Sequence, residues 1–581
     1  MPEPARPPKV AIVTLGCGRN EVDSENAAGL LTASGYEMVD DAEQADAIIV
    51  NTCAFISAAK KESIDTVFSA IALKSPPAAR ELHPDSSAEA AKRESTDPVL
   101  EAAGLKEHGR ARTVLVMGCL AERYADTLRA ELPEADAIVP FADYTRLAEL
   151  LGSTLGGGAP APGTAAATPM PGAPAPDRPA VTPTPTPAAL APAAPAPDRP
   201  AVTPAPAPGS RLPALAPAPA PPAPGGAVRP ALVPPAGRRV LPMVFPTPAG
   251  APFPARSRAR QPVALVKLAE GCDRDCSFCA IPSFRGRFRS RRPTEVVDEV
   301  VWLAGQGVSE VVLVAENSTS YGKDLGGRSA LVHLLRALAT VEGLRRVRLQ
   351  YLQPDELTPG LLEEMAANPV VCSYFDLSLQ HASAPVLRRM RRGGSRPDFL
   401  DLVGRVRALD PDAAFRSNFI LGFPGERRQD VRELEDFLEE ARLDWVAFFA
   451  YSAEDGTAAL ALDGRVPTRT ARARVERLSE LQARVLDRVQ AAWVGRRLEV
   501  MVDRVDADGT AEARSFREAP EHDGLVRVEG LASATAGDYV EVEVTGAEGP
   551  ELRARPAWGA GAATAPAPAA RRVGPAVPAT R

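Results

Sequence analysis

Six of the seven cysteines in this 581-residue chain are spaced so that their thiols could do chemistry together. Cys272, Cys276 and Cys279 form a CxxxCxxC run within EGCDRDCSFCAIPSFRGRF (Glu270–Phe288). No fourth Cys or His stands nearby, whereas a structural zinc site normally closes four ligands. Three thiolates suit a [4Fe–4S] cluster with one iron left open to a substrate or cofactor. Zinc with a distant fourth ligand is the alternative. Cys17, Cys53 and Cys119 each close a short apolar run, KVAIVTLGC, DAIIVNTC and RTVLVMGC. If those runs are parallel strands, their carboxyl ends lie side by side, where α/β sheets gather functional groups. Three unrelated core cysteines are the bland alternative, since a free Cys is often simply buried. Cys372, in NPVVCSYF, is read as packing of that kind.

The elements around these residues must position them. Each of the three early runs leads into a helical pattern, which predicts a parallel α/β domain over residues 1–152. A charged, Pro-interrupted stretch, residues 75–112, reads as a surface insertion within it. Residues 151–260 hold 31 of the 59 prolines, and APAPDRPAVTP occurs twice, at Ala173–Pro183 and Ala194–Pro204. Such a segment lacks an apolar face to bury, so residues 153–260 are predicted to be a disordered Pro/Ala-rich linker. From 261 to 492, VALVKLAEG, EVVLVAEN, RVRLQYLQP, YFDLSLQHA, FRSNFILGFPG and DWVAFFAYS alternate with helical segments. Six β/α alternations predict a partial (β/α) barrel. Residues 493–556 alternate apolar and polar, which predicts a small antiparallel β-barrel. Residues 557–581 read as a disordered tail.

The net charge is −7, which argues against a nucleic-acid coat protein. The polar, Pro-rich start MPEPARPPKV carries no signal-peptide core, and no run of 18 apolar residues could span a bilayer. A cytoplasmic protein without a membrane partner is expected.

The CxxxCxxC run, with Phe278 before its last cysteine, resembles the signature of the radical S-adenosylmethionine superfamily. Together with EGCDxxCxFCxIPxxRG, the three dispersed N-terminal cysteines and the C-terminal barrel, it resembles the methylthiotransferase family within that superfamily. The resemblance implies two [4Fe–4S] clusters: one on Cys272, Cys276 and Cys279, which binds S-adenosylmethionine, and one on Cys17, Cys53 and Cys119. It also implies that the last domain is TRAM-like. The strings AEGCDRDCSFCAIPSFRG, YFDLSLQHAS and REAPEHDGLV resemble the class that modifies an aspartate β-carbon in small-subunit ribosomal protein S-twelve. The class acting on a tRNA adenosine would show Ser-Gly after the Gln, where this chain has Gln380-His381. Residues 496–555 carry eight Arg against fourteen Asp and Glu, and such an acidic barrel would attract a basic ribosomal protein and repel phosphates. No stable nucleic-acid complex is expected.

Phe278, Glu316, Asn317, Gln380 and Arg416 are the candidate cofactor contacts, placed at or near the ends of strands or in strings like those of the superfamily. Gly422, Gly425 and Glu426 are read as a turn, and His381 as a satisfied core or rim histidine, with a direct catalytic role as the alternative. A monomer and a flavodoxin- or ferredoxin-like electron donor complete the expectation. A non-catalytic iron–sulfur or zinc scaffold is the reading from another class.

Overall fold

The computed structural model describes residues 6–74, 110–156, 256, 261–327, 329–520 and 522–557. Its first layer is a five-stranded sheet in the order β2-β1-β3-β4-β5. The strands are β1 (Lys9–Thr14), β2 (Glu37–Met38), β3 (Ala47–Thr52), β4 (Thr113–Gly118) and β5 (Ala137–Ile138). Every pairing is parallel. Both β3 and β4 are buried from end to end, which is why they read as unbroken apolar runs. Helices α1 (Gly18–Ala33), α2 (Ser57–Ala72) and α3 (Cys119–Glu131) leave the carboxyl ends of β1, β3 and β4. Cys17, Cys53 and Cys119 therefore occupy three strand-to-helix junctions on one edge of the sheet.

Six further parallel strands build the centre: β6 (Val263–Lys267), β9 (Glu310–Val314), β10 (Arg346–Leu349), β11 (Tyr374–Gln380), β12 (Ala414–Leu421) and β13 (Trp445–Ala450). Between β6 and β9, β7 (Ala269–Glu270) and β8 (Arg289–Ser290) pair antiparallel and close the base of the loop that carries Cys272, Cys276 and Cys279. The six strands form two sheets, β10-β9-β6 and β11-β12-β13, joined by isolated bridges at Val347–Val371 and Leu352–Leu377. The partial barrel is thus split, and β6 and β13 are its free edges. Helices α4 (Pro293–Gly305), α5 (Ala330–Leu338), α6 (Pro359–Ala367), α7 (Arg396–Leu409) and α8 (Arg428–Ala441) cover the outer face. Phe375 and Phe415 stack beneath them with centroids 5.7 Å apart, and Phe419 meets Phe437 edge-on at 6.2 Å. The strand residues between these apolar ones face the barrel interior.

After α9 (Thr468–Ala491), β14 (Arg497–Val505), β15 (Ala511–Arg514), β16 (Val526–Val528), β17 (Tyr539–Glu548) and β18 (Glu551–Pro556) close a barrel in the order β14-β15-β16-β18-β17. It departs from the expected antiparallel barrel in one pairing: β16 and β18 run parallel. The hairpin from β17 brings β18 back alongside β16, and that parallel seam closes the ring. Buried arginines fix this barrel to the central domain. Arg348 donates to Phe516 O at 2.7 Å, Arg346 to Arg514 O at 2.9 Å, and Arg517 to Asp444 at 2.9 Å.

The expected linker at 153–260 and tail at 557–581 lie almost wholly outside the described residues, as does most of the 75–112 insertion. Two differences show at the linker's ends. The last helical turn of the first domain reaches Thr154. Arg256 is buried, bonded to Glu25 of α1 and to Glu299 of α4 at 2.5 Å. Two carboxylates from two domains hold one guanidinium, so the chain is already anchored before 261. Among the described residues no helix is long and apolar enough to cross a membrane.

Candidate active site between two cysteine triads

Close backbone packing brings the first triad together. Gly16 and Gly118 precede Cys17 and Cys119 at φ +96° and +94°, a region that L side chains rarely adopt. A Cβ on Gly16 would stand 2.8 Å from Cys53 Cβ and 3.0 Å from its Sγ, and one on Gly118 would stand 2.4 Å from Thr52 O. Each of these strand-to-helix turns therefore leaves room only for hydrogen. Cys53 N donates to Ser63 Oγ at 2.9 Å, and Ser63 returns a bond to Cys53 O at 3.0 Å. Cys17, Cys53 and Cys119 are close enough to feel one another's charge.

The second triad lies in a pinned loop. Cys272 N donates to Gly286 O, and Ser277 is tied to Met390 O and Arg389 O. Arg274 is clamped by Asp355 and Glu356 at 2.8 and 2.6 Å. Arg392 Nη1 points at Cys276 Sγ from 3.6 Å. Phe278 packs against the central core. All seven cysteines are free thiols, and Cys372 is buried in the small core below Tyr374 and Trp445, away from both triads. Among the described residues no three Cys, His, Asp or Glu side chains gather as a site for a single metal ion.

The two triads face a shared buried polar region, which the residue patterns alone did not disclose. Arg285, in the IPSFRG segment, donates to Cys119 Sγ at 3.3 Å, Asn20 Oδ1 at 3.1 Å and Glu270 at 3.0 Å, and lies over the Phe141 ring. Lys267 bonds Asp23 and Glu270 at 2.5 Å each. Arg19 donates to Ala315 O, stands 3.5 Å from Glu316 and covers the Tyr351 ring. Three cations, Arg19, Lys267 and Arg285, thus meet three carboxylates, Asp23, Glu270 and Glu316. Neither Glu316 oxygen accepts a hydrogen bond, and burial raises its pKa despite the two arginines. Burial also opposes ionisation of Cys17, but Arg19 and Arg285 outweigh it and its pKa falls below the ordinary thiol value. Burial dominates elsewhere, pushing Cys53 and Cys272 up to about 11 and Cys279 to about 12. Iron must displace those protons on binding.

The donor set fits [4Fe–4S] clusters. Six free thiols lie in two groups of three, and guanidinium groups at Cys119 and Cys276 can satisfy cluster sulfurs. Of the other expected residues, Glu316 offers an unsatisfied carboxylate at the end of β9. Asn317 is committed internally, its amide donating to Ser320 and to both oxygens of Glu356. Gln380 ends β11 at a bulge with φ +71°, a strained position of the sort found at functional sites. His381 is fully buried, and its Nδ1 accepts from the backbone of Ala382 and Ser383. That geometry gives it a turn-forming contact, while its Nε2, 3.6 Å from Glu426, is buried without a hydrogen bond. Glu426 accepts from Gly422 N and Arg474 and shapes the turn as expected.

Comparison with known proteins gives this geometry a family. The radical SAM superfamily profile matches residues 266–438, the TRAM domain 494–556, and uncharacterized protein family UPF0004 residues 9–80. The chain is 43% identical over 554 residues to ribosomal protein uS12 methylthiotransferase RimO of Nocardioides sp., covering 94% of this chain and 97% of that one. The protein of the same name from Salinispora tropica is 42% identical over 572 residues, covering 96% of both chains. The chain belongs to the ribosomal protein uS12 methylthiotransferase family. As a member of that family it is a radical SAM enzyme of mixed α/β architecture with a small closed barrel at its C-terminal end. Among solved structures, the cobalamin-dependent radical enzyme OxsB aligns at TM-score 0.36 and 11% identity, covering 78% of this chain and 54% of that one. Coproporphyrinogen III oxidase (HemN) from Escherichia coli aligns at TM-score 0.31 and 14% identity, covering 45% and 66%. Neither likeness is close enough to refine the family's geometry.

Proposed function

We propose that the chain inserts a methylthio group at the β-carbon of an aspartate in ribosomal protein uS12, the S-twelve protein of the small subunit. The convergence of Cys17, Cys53 and Cys119 beside Arg285, six residues beyond the other triad, carries this reading: two thiol sets border one buried polar region. Cys272, Cys276 and Cys279 would hold one cluster, and Cys17, Cys53 and Cys119 the second. When bound, the clusters and S-adenosylmethionine supply the radical that removes hydrogen and the sulfur and methyl that replace it. The chain's own groups hold and insulate that chemistry. Glu316, at the end of β9, offers a carboxylate to the amino group of S-adenosylmethionine. Phe278 and Gln380 complete the cofactor contacts, Phe278 by packing the cluster loop against the core. Arg285, Arg19 and Arg392 offset thiolate charge, and burial of Arg285, Glu270 and Glu316 between the triads limits the water that would quench a radical.

The acidic C-terminal barrel suits a basic protein substrate better than a polyanion. We place the enzyme in the cytoplasm, working as a monomer with a flavodoxin- or ferredoxin-like electron donor. Anaerobic reconstitution tests the two-cluster reading. About eight irons per chain are expected, falling to about four when either triad is replaced by alanine, with deoxyadenosine released under reductant. Zinc uptake without cleavage of S-adenosylmethionine would overturn it.

A further inference from the structure

Arg416 stands apart from the region described above. It is the third residue of β12, in the amino-terminal half of the strand, whereas the cysteines, Glu316 and Gln380 lie at or beyond carboxyl ends. Its neighbours Phe415, Phe419 and Leu421 are buried in the core under the helices, so by strand alternation Arg416, Asn418 and Ile420 face the barrel interior. In the register of β12 with β13 they pair with Trp445, Ala447 and Phe449, which share that face. Phe449 is 44% exposed, and no described strand pairs with the outer edge of β13, against which α9 packs.

A cavity of about 480 Å³ lies there, between β13, α9 and the His522–Gly524 loop of the C-terminal barrel. Arg416 lines it. Among the described residues the Arg416 side chain makes no hydrogen bond, and its nearest charged contact is Asp523 Oδ1, 3.5 Å from Nε. Asp523 is itself held through its other oxygen by Tyr374 at 2.7 Å and Ala519 N at 2.8 Å, leaving Oδ1 buried without a hydrogen bond. By contrast, Arg285, Arg348 and Arg517 each bond several oxygens or sulfurs. Arg416 is a guanidinium fork held at one edge, its outer nitrogens uncommitted, in a cavity large enough for a side chain of another protein. Such a fork matches a carboxylate in two parallel bonds.

Resting on the function proposed above, we infer that Arg416 is the specificity residue that receives the carboxylate of the target aspartate, with Asp523 as the positioning residue that aims it. The acidic barrel draws in a basic protein, and a cation within that acidic wall then selects the acidic side chain. Tyr351, which lies under Arg19 and whose N–H is held by Asp376, is near enough to Arg416 to sense its charge. Tyr351 also senses the charge of Cys17, so it stands between Arg416 and the N-terminal triad. This placement assigns Arg416 to the substrate in place of the cofactor contact expected from its sequence context.

The test compares binding of two probes to reconstituted holoenzyme: purified uS12, and uS12 with the target aspartate replaced by asparagine. Wild type is expected to bind the aspartate form at least about tenfold more tightly, the worth of one charge-assisted bond. In Arg416→Gln the preference falls to within twofold, while affinity for S-adenosylmethionine and iron content are unchanged. Arg416→Lys, with the charge but not the fork, keeps part of the preference and serves if the glutamine variant does not fold. A preference retained in full by Arg416→Gln would overturn the inference, and so would loss of S-adenosylmethionine binding, which would return Arg416 to the cofactor. Failure of wild type to modify uS12 at all would instead strike down the functional reading, and this inference with it.

Discussion

Arg285, six residues beyond Cys279, donates to the Sγ of Cys119 across 3.3 Å, although 166 positions separate the two in the chain. One side chain thus ties the loop of one triad to a thiol of the other. The same loop adds Ala280 and Phe284 to the N-terminal core. Burying a phenylalanine is worth about 1.5–3 kcal/mol, so apolar packing and the polar bridge hold the same joint.

Replacing Arg285 by Met leaves Asp23, Glu270 and Glu316 facing only Arg19 and Lys267. Breaking a buried charge network in this way costs about 3–5 kcal/mol. The variant is expected to melt earlier and to lose iron from the N-terminal triad first, with partial recovery in Arg285→Lys. Iron analysis of variants that lack the Cys272 triad isolates that loss; unaltered loading would contradict the role.

Gly16→Ala should be far worse than a glycine substitution in a helix. Its Cβ would meet Cys53 at 2.8 Å from a backbone at φ +96°, whereas a Cβ on Gly305, at the end of α4, meets nothing within 4 Å. Left-handed backbone alone costs an L-residue about 1–2 kcal/mol, before the clash. Thermal unfolding of the apo-chain and iron uptake should both fall for Gly16→Ala and hold for Gly305→Ala. Equal behaviour of the two would remove the cradle from the account.

Burial raises the Asp523 carboxyl from 3.8 to about 6, with Arg416, Tyr374 and Arg348 pulling the other way and His522 beside it in the cavity lining. A folded pKa above the unfolded one means that the folded state binds the proton more readily. Stability from this group is therefore greatest below the unfolded value and is lost as pH rises through about 6, by about 3 kcal/mol in all. Urea unfolding of wild type and Asp523→Asn across that range should show the wild type losing ground to the variant as pH rises. Parallel curves would mean that the carboxyl is not buried as described.

Glu454 gathers Lys60 and Ser57 of α2 with Arg123 of α3 onto the segment that follows β13. Its side chain is 3% exposed. Glu454→Ala is expected to loosen the N-terminal domain, read as faster proteolysis or hydrogen exchange in α2, with little change in the C-terminal barrel. Uniform exchange in both proteins would exclude a clamp.

The cysteines were legible because their signal is local: Gly-Cys after an apolar run, or three thiols within eight residues. The six central strands were legible for the same reason. The short β15 and β18, and α6, carried too little periodicity to stand out. Arg19, Lys267 and Arg285 were hidden for another reason: each has a partner in a different domain, and no spacing along the chain foretells a contact such as Arg285 with Asp23. Arg19 and Arg285 do lie within two and six residues of a triad cysteine, which was the available clue. His381 stayed ambiguous, because a histidine at a strand end reads alike whether it serves chemistry or a turn.

The central claim is most directly tested on ribosomal protein uS12 itself. Its mass, taken from cells with and without this chain, should differ by one methylthio group in place of hydrogen, and fragmentation should put the group on an aspartate. An unchanged uS12, with methylthio lost from tRNA adenosine in the same cells, would contradict the account.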